Sequence, residues 1–182
     1  MKHKIRKHIK EKLRAHSPLE KSRKSGIIKD KLFDEEEFKK AKVVMFYVSL
    51  KDEVDTCFMI DEALKAGKRV CVPVILKEEK RLIAGEIKNR LEDLESQHFG
   101  IYQPRYDRVE EVPLDDIDLV VVPGIAFDKN NIRLGRGHGY YDRFLSGLPA
   151  ATKAIGLAFD FQVLEDLPKD PHDIPVSKIV SG

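Results

Sequence analysis

The chain has 182 residues, 42% of them hydrophobic and 35% charged, with a formal net charge of +2. That length suits one compact domain, residues 1–182, with room for a real core, and the near-neutral balance argues against a general nucleic-acid binder. No apolar run approaches membrane-spanning length, and Cys57 and Cys71, each in an apolar segment, read as reduced core residues of a cytoplasmic protein.

The opening residues, MKHKIRKHIKEKLR, are basic and lack the apolar stretch of a signal peptide. On a helix, Lys2, Arg6, Lys10 and Arg14 share one face, beside an apolar stripe of Ile5, Ile9 and Leu13. Like charges at that spacing destabilise a helix slightly, so the face makes best sense against an anion. Read alone, it also fits a solvated surface or a nonspecific nucleic-acid arm. SPLEKSRKSGIIKDKLF predicts a second helix, with Ser17 as N-cap and Pro18 at the first helical position. Four β-branched runs, at 42–49, 69–76, 118–124 and 153–159, predict strands covered on both faces. Between the first two, DTCFMIDEALKAGK predicts a helix from an Asp or Thr cap to a stop at Gly67, with Cys57, Ile60, Ala63 and Leu64 on one face. The stretch 77–117 is ambiguous: KEEKRLIAGEI fits a hairpin or a loop, and EDLESQHFGIYQP a short helix running into a proline-stopped edge. YDRFLSGL places Tyr141, Phe144, Leu145 and Leu148 at helical spacing. Strands alternating with helices make the fold class α/β. His3, His8, His16 and His98 form no metal-ligand spacing with the cysteines.

Chemistry concentrates in NNIRLGRGHGYYDR, residues 130–143. Gly135, Gly137 and Gly139 remove every second side chain, so the backbone can approach a ligand closely and adopt positive φ. Successive amides in such a loop, ending at a helix start, form a concavity suited to phosphate oxygens, and Arg133 and Arg136 add forked donors. A flexible turn with solvated arginines is the plainer alternative. The spacing is neither the Walker lysine loop nor the dinucleotide fingerprint. Asp142 falls in the first helical turn, where it complements the dipole or, beside a polyphosphate, ligates Mg²⁺. Tyr140 and Tyr141 divide between core and ligand platform.

VVVPGIAFDKNNIRLGRGHGYYDRFL resembles the signature of the 5-formyltetrahydrofolate cyclo-ligase family, P-G-x-A-F-D, a short turn, then R-L-G-x-G-x-G-Y-Y-D. KHKIR resembles that family's basic ATP-contacting start, YVSLKDEVDT its substrate segment, and HDIPVSKIV its C-terminal element with a second metal carboxylate. Three departures stand out: Asn131 where glycine is usual, His138 at a variable position, and a poor match over 77–100.

The resemblance implies a three-layer α/β fold, a mainly parallel sheet flanked by helices, similar to sugar-phosphate isomerase-like folds. It implies a ligase of one-carbon metabolism that cyclises 5-formyltetrahydrofolate to 5,10-methenyltetrahydrofolate, using ATP and Mg²⁺ and releasing ADP and phosphate. ATP's γ-phosphate activates the formyl oxygen as an imidate phosphate, N10 attacks, and phosphate leaves. It implies ATP contacts from Lys2, Arg6, Arg133, Leu134, Gly135, Arg136, Gly137, His138, Gly139, Tyr140 and Tyr141. The folate falls to Val48 and Glu53 with Arg136, Gly137, His138, Gly139 and Tyr140; catalysis falls to Arg136 and Tyr140, and Mg²⁺ to Asp142 and Asp173. The expected partners are reduced folate and ATP, met by a monomer, with no nucleic acid or membrane. A sugar-phosphate isomerase or acyl-transfer relative on the same scaffold, or a basic nucleic-acid-binding module, are the alternatives.

Overall fold

The computed structural model of the chain describes residues 1–96 and 100–182. The helices are α1 (Lys2–Ala15), α2 (Pro18–Asp34), α3 (Glu36–Lys40), α4 (Cys57–Lys65), α5 (Arg90–Asp93) and α6 (Tyr140–Ser146). The strands are β1 (Val43–Met45), β2 (Arg69–Leu76), β3 (Arg81–Ile87), β4 (Leu94–Ser96), β5 (Tyr102–Pro104) and β6 (Leu119–Val122). They continue with β7 (Ala126–Asp128), β8 (Arg133–Leu134), β9 (Lys153–Ala158), β10 (Val163–Leu164) and β11 (Lys178–Ser181).

The main sheet has six strands in the order β11-β9-β6-β1-β2-β3. All pairs are parallel except β2 and β3, which pair antiparallel from Val70 opposite Ile87 to Leu76 opposite Arg81. KEEKRLIAGEI is therefore the returning arm of a hairpin. Along the central strands burial alternates between two cores. Val44, Val70, Val72, Leu119, Val121, Ile155 and Leu157 join Ile9 and Leu13 of α1, Ile28 and Leu32 of α2, and Met59 and Ile60 of α4. Val43, Met45, Cys71, Val120, Val122, Ala154 and Ala158 join Phe144 and Leu145 of α6. Both faces are covered, which is why these strands read as unbroken apolar runs.

Local signals explain the boundaries. Ser17 Oγ accepts from the Glu20 amide at 3.2 Å while the Glu20 carboxylate accepts from the Ser17 amide, a capping box that starts α2 after Pro-compatible geometry. Gly67, at φ +80°, ends α4 as expected. The apolar face of α4 differs from the reading: Met59, Ile60 and Ala63 are buried, whereas Cys57 is only half-buried. β1 stops at Met45 because the Tyr47 carbonyl is taken by the Thr56 hydroxyl at 2.5 Å. β6 begins one residue late because Asp118 turns its carboxylate to the amides of Lys42 and Val43, at 2.8 and 2.9 Å. EDLESQHFGIYQP supplies the end of α5 and the antiparallel pair β4–β5, while His98 lies outside the described residues. Among the described residues no helix is long and apolar enough to cross a membrane.

Five parallel strands direct their carboxyl ends to one edge of the sheet. The segments leaving that edge after β1 and β6 carry Val48, Glu53 and the glycine-rich loop, where open α/β sheets bind ligands.

Candidate active site

The glycine-rich loop is reached through the β7–β8 hairpin, which pairs Ala126 with Leu134 and Phe127 with Arg133. Asp128, fully buried, organises the intervening turn. Its Oδ1 accepts from the amides of Asn130 and Ile132, both at 2.9 Å, and its Oδ2 accepts from Leu167 at 2.9 Å. Three amide donors offset the cost of burying that carboxylate. Asn131 takes φ +62°, the left-handed conformation that asparagine tolerates next best to glycine. Leu134 is buried core, and the chain then emerges at Gly135. Gly137 and Gly139 sit at φ +106° and +67°, conformations that most L-residues resist, so the loop presents bare backbone.

Arg133 and Arg136 divide the charge between two depths. The Arg133 side chain is 4% exposed; its Nη2 donates to Asp142 Oδ1 at 2.9 Å and its Nη1 to the Pro123 carbonyl at 3.3 Å. It lies over the Tyr141 ring and fixes Asp142 beneath the loop. Its Nε and the Tyr141 hydroxyl are buried without a partner among the described residues, and burial pushes the Tyr141 phenol well above its ordinary range. Arg136 is 42% exposed and donates to Glu53 Oε1 at 2.7 Å; Glu53 Oε2 accepts from the Leu50 amide at 2.9 Å. His138 is exposed, with its ring stacked 6.3 Å from that of Tyr140.

The two chain ends close on this loop. Arg6 Nε donates to the Gly135 carbonyl at 2.9 Å. Lys2, expected on phosphate, donates to Asp173 at 2.5 Å and to Asp170 at 2.7 Å. Burial alone would raise the Asp173 carboxyl, but the Asp170 amide and the Lys2 ammonium hold it below the usual range. Asp142 Oδ1 also accepts from the Ile174 amide at 3.4 Å, so the two predicted metal acids sit on touching segments. Asp142 Oδ2 and Asp173 Oδ1 have no partner among the described residues. Oxygen donors of that kind suit Mg²⁺, which takes one or two carboxylates beside phosphate. Ligand atoms of Asp170, His172 and Asp173 lie within 4.8 Å of one another, adding Asp170, which the sequence reading did not single out.

Two clefts border the segment that leaves β1. The smaller, about 100 Å³, is lined by Lys10, Leu13, Arg14, Asp52, Ile125 and Arg136. It turns the basic face of α1 inward onto the loop's own arginine, which disfavours a solvated nucleic-acid arm. The larger, about 180 Å³, contains Val48 together with Arg90, Leu91, Leu94 and Tyr102. These last four come from the stretch that the sequence left ambiguous, and no local signal marks them. Val48 thus lines a different cleft from Arg136, on the same segment as Glu53.

The model of the 5-formyltetrahydrofolate cyclo-ligase family matches residues 1–182. A mouse 5-formyltetrahydrofolate cyclo-ligase is 30% identical over 184 residues, covering 97% of this chain and 91% of the mouse protein. The solution structure of an Aquifex aeolicus 5,10-methenyltetrahydrofolate synthetase superposes with a TM-score of 0.86 at 36% identity, covering 99% of this chain and 89% of that one. A 5,10-methenyltetrahydrofolate synthetase from Mycoplasma pneumoniae gives 0.79 at 27% identity, covering 98% and 97%. With sequence and fold matched end to end, the chain belongs to the 5-formyltetrahydrofolate cyclo-ligase family.

Proposed function

We propose that the cleft at the carboxyl edge of the sheet closes the ring of 5-formyltetrahydrofolate, giving 5,10-methenyltetrahydrofolate at the expense of ATP. The family supplies the reaction. The observation that carries the residue assignment is the convergence of Lys2, Arg6, Glu53, Arg133, Arg136, Asp142 and Asp173 around Gly135–Gly139 through direct contacts.

The amides of Gly135–Gly139, with Arg6 and Arg136, receive the phosphates; Lys2 lies at the same rim. The Arg133 side chain and the Tyr141 hydroxyl are buried, so they position Asp142 and the loop. Asp142 and Asp173 would hold Mg²⁺, which when bound neutralises charge on the transferring phosphoryl group. Glu53, held by Leu50 and Arg136, offers an acceptor-only carboxylate to pterin N–H groups, which are costly to bury unpaired. A formyl oxygen is a poor leaving group until phosphorylated. The chain's task is to hold that oxygen in line with the γ-phosphate, and N10 against the formyl carbon, while Arg136 and Tyr140 flank the reacting atoms.

Helices on both faces of the main sheet support a three-layer scaffold of the sugar-phosphate isomerase-like kind, in one domain over residues 1–182. Two free thiols support a reducing, cytoplasmic setting. The test is to mix the protein with 5-formyltetrahydrofolate and MgATP, following methenyltetrahydrofolate absorbance and ADP together. One ADP per methenyl product, and no product when ATP is omitted, is expected. ATP-independent product, or none at all, overturns the reading.

A further inference from the structure

We infer that Asp128 is a positioning residue of the reaction: it ties the segment that carries Asp173 to the turn that leads into the glycine-rich loop, so that Asp173 and Asp142 meet at one metal. This rests on the cyclo-ligase reading and adds to it a residue that touches neither substrate nor metal.

The segment between β10 and β11 needs an outside anchor. Residues 166–177 form no helix or strand, and Pro168, Pro171 and Pro175 have no amide to donate. The segment's own bonds close a short turn at its tip. The Asp170 amide donates to Asp173 Oδ2 at 2.8 Å, and the Asp173 amide to the Asp170 carbonyl at 3.0 Å. These bonds shape the tip without placing it. Placement comes from the turn between β7 and β8, which grips the segment at both ends. β10 delivers Leu164 opposite Asp128, and the Leu167 amide then donates to Asp128 Oδ2 at 2.9 Å. At the far end the Val176 amide donates to the Asn131 carbonyl, also at 2.9 Å. Leu167 packs into the core of α1 and α2, and Val176 into that of α6, so the two ends are rooted on different sides.

The contacts at the tip cannot do this during the reaction. Lys2 and Asp142 reach the segment at the site itself, where a metal and phosphates compete for the same groups. Asp128, Leu167 and Val176 are buried, out of reach of any ligand, so their bonds persist when the site fills. The tie needs a carboxylate because its two oxygens serve two segments. Oδ1 accepts from Asn130 and Ile132 of its own turn, and Oδ2 from Leu167. An asparagine has one acceptor oxygen. It keeps more bonds with that oxygen on the turn, which sets its amide donors against the Leu167 N–H. Asp128→Asn therefore cuts the tie to the segment and spares the turn.

The experiment reads the metal apart from the nucleotide. ATP binding without folate is measured by calorimetry, in Mg²⁺ and in EDTA, for the wild type and Asp128→Asn. The wild type should bind ATP more tightly in Mg²⁺. Asp128→Asn should match it in EDTA and lose about tenfold of the gain from Mg²⁺. Equal losses in both conditions would make Asp128 purely structural and overturn the inference, as would no loss in either. Amide hydrogen exchange adds a measurement that needs no variant and decides if Asp128→Asn fails to fold. Leu167 and Val176 should be protected in the ligand-free wild type. Protection that appears only with MgATP would mean that the metal orders the segment, and would overturn the inference too. If the wild type gains nothing from Mg²⁺, or turns over no folate, the metal or the cyclo-ligase reading fails by itself. Exchange in Asp128→Asn, with Leu167 exposed and Ile132 still protected, then decides whether Asp128 holds the segment.

Discussion

Each acid assigned to the reaction is held by a base of the same site: Glu53 by Arg136 at 2.7 Å, Asp142 by Arg133 at 2.9 Å and Asp173 by Lys2 at 2.5 Å. Any ligand group that takes these acids displaces or shares an internal partner, which tunes affinity without new contacts. Glu53→Gln keeps the shape and the Leu50 contact but replaces an acceptor-only oxygen with an amide that also donates. Folate affinity should fall by about 1.5–3 kcal/mol with ATP affinity nearly unchanged, as read by calorimetry with each ligand. Equal losses would make Glu53 structural. A second residue ties stability to pH. His16 packs its ring against Phe159 and Phe161, at centroid distances of 5.2 and 4.8 Å, with Nδ1 buried and without a partner among the described residues. Burial, then the nearby Lys24 charge, lowers its pKa. The unfolded chain therefore takes up the proton first as pH falls below about 6.5, and stability drops there until the folded ring also titrates. Thermal unfolding from pH 8 to 5 should show that loss, and His16→Phe should flatten it. The His16 behaviour was not legible in the sequence, where it is one of several histidines in a basic stretch; its aromatic neighbours come from more than a hundred residues away.

At the scale of elements, what could be read depended on how local the cause was. The start of α2 was legible because Ser17, Pro18 and Glu20 carry the whole signal within four positions. The true length of β1 was not, because the competitor for its backbone, the Thr56 hydroxyl, sits beyond a loop. The stretch 77–117 hid the β2–β3 hairpin and β4–β5, since its short apolar runs fit strand or loop equally. Phe127 illustrates a packing demand that periodicity cannot convey. Its ring is fully buried, and a Cβ on Gly156, in the middle of β9, would lie 2.4 Å from Phe127 Cε1. A Cβ on Gly124 would meet the same ring at 2.5 Å. Two glycines thus make room for one aromatic directly beneath the loop that leads to the site. Gly156→Ala should destabilise the fold by about 1–3 kcal/mol in denaturant unfolding, and Gly156→Ala with Phe127→Leu should recover part of that loss. Purely additive losses would mean that the ring is not the obstacle.

Across the whole molecule, the site exists only because the chain ends meet. Lys2 reaches Asp173 across a separation of 171 residues, Arg6 reaches Gly135, and Arg136 reaches Glu53. The class of fold was legible from alternating strands and helices, and the glycine-rich loop from its composition. The strand order β11-β9-β6-β1-β2-β3, which brings those segments to one edge, was not, because residue order does not encode which parallel strands are neighbours. The roles proposed for Lys2, Glu53 and Asp173 rest on resemblance, since alone each reads as a surface charge. Asp142, on α6, and Asp173, near the C-terminus, are proposed to act as one unit across that junction. Turnover of 5-formyltetrahydrofolate at saturating MgATP, measured for the wild type, Asp142→Asn, Asp173→Asn and the double variant, tests it most directly. Each single substitution should lower kcat about 100-fold or more with the fold intact by circular dichroism, and the double should be little worse than either. Mild losses that multiply in the double variant would contradict it.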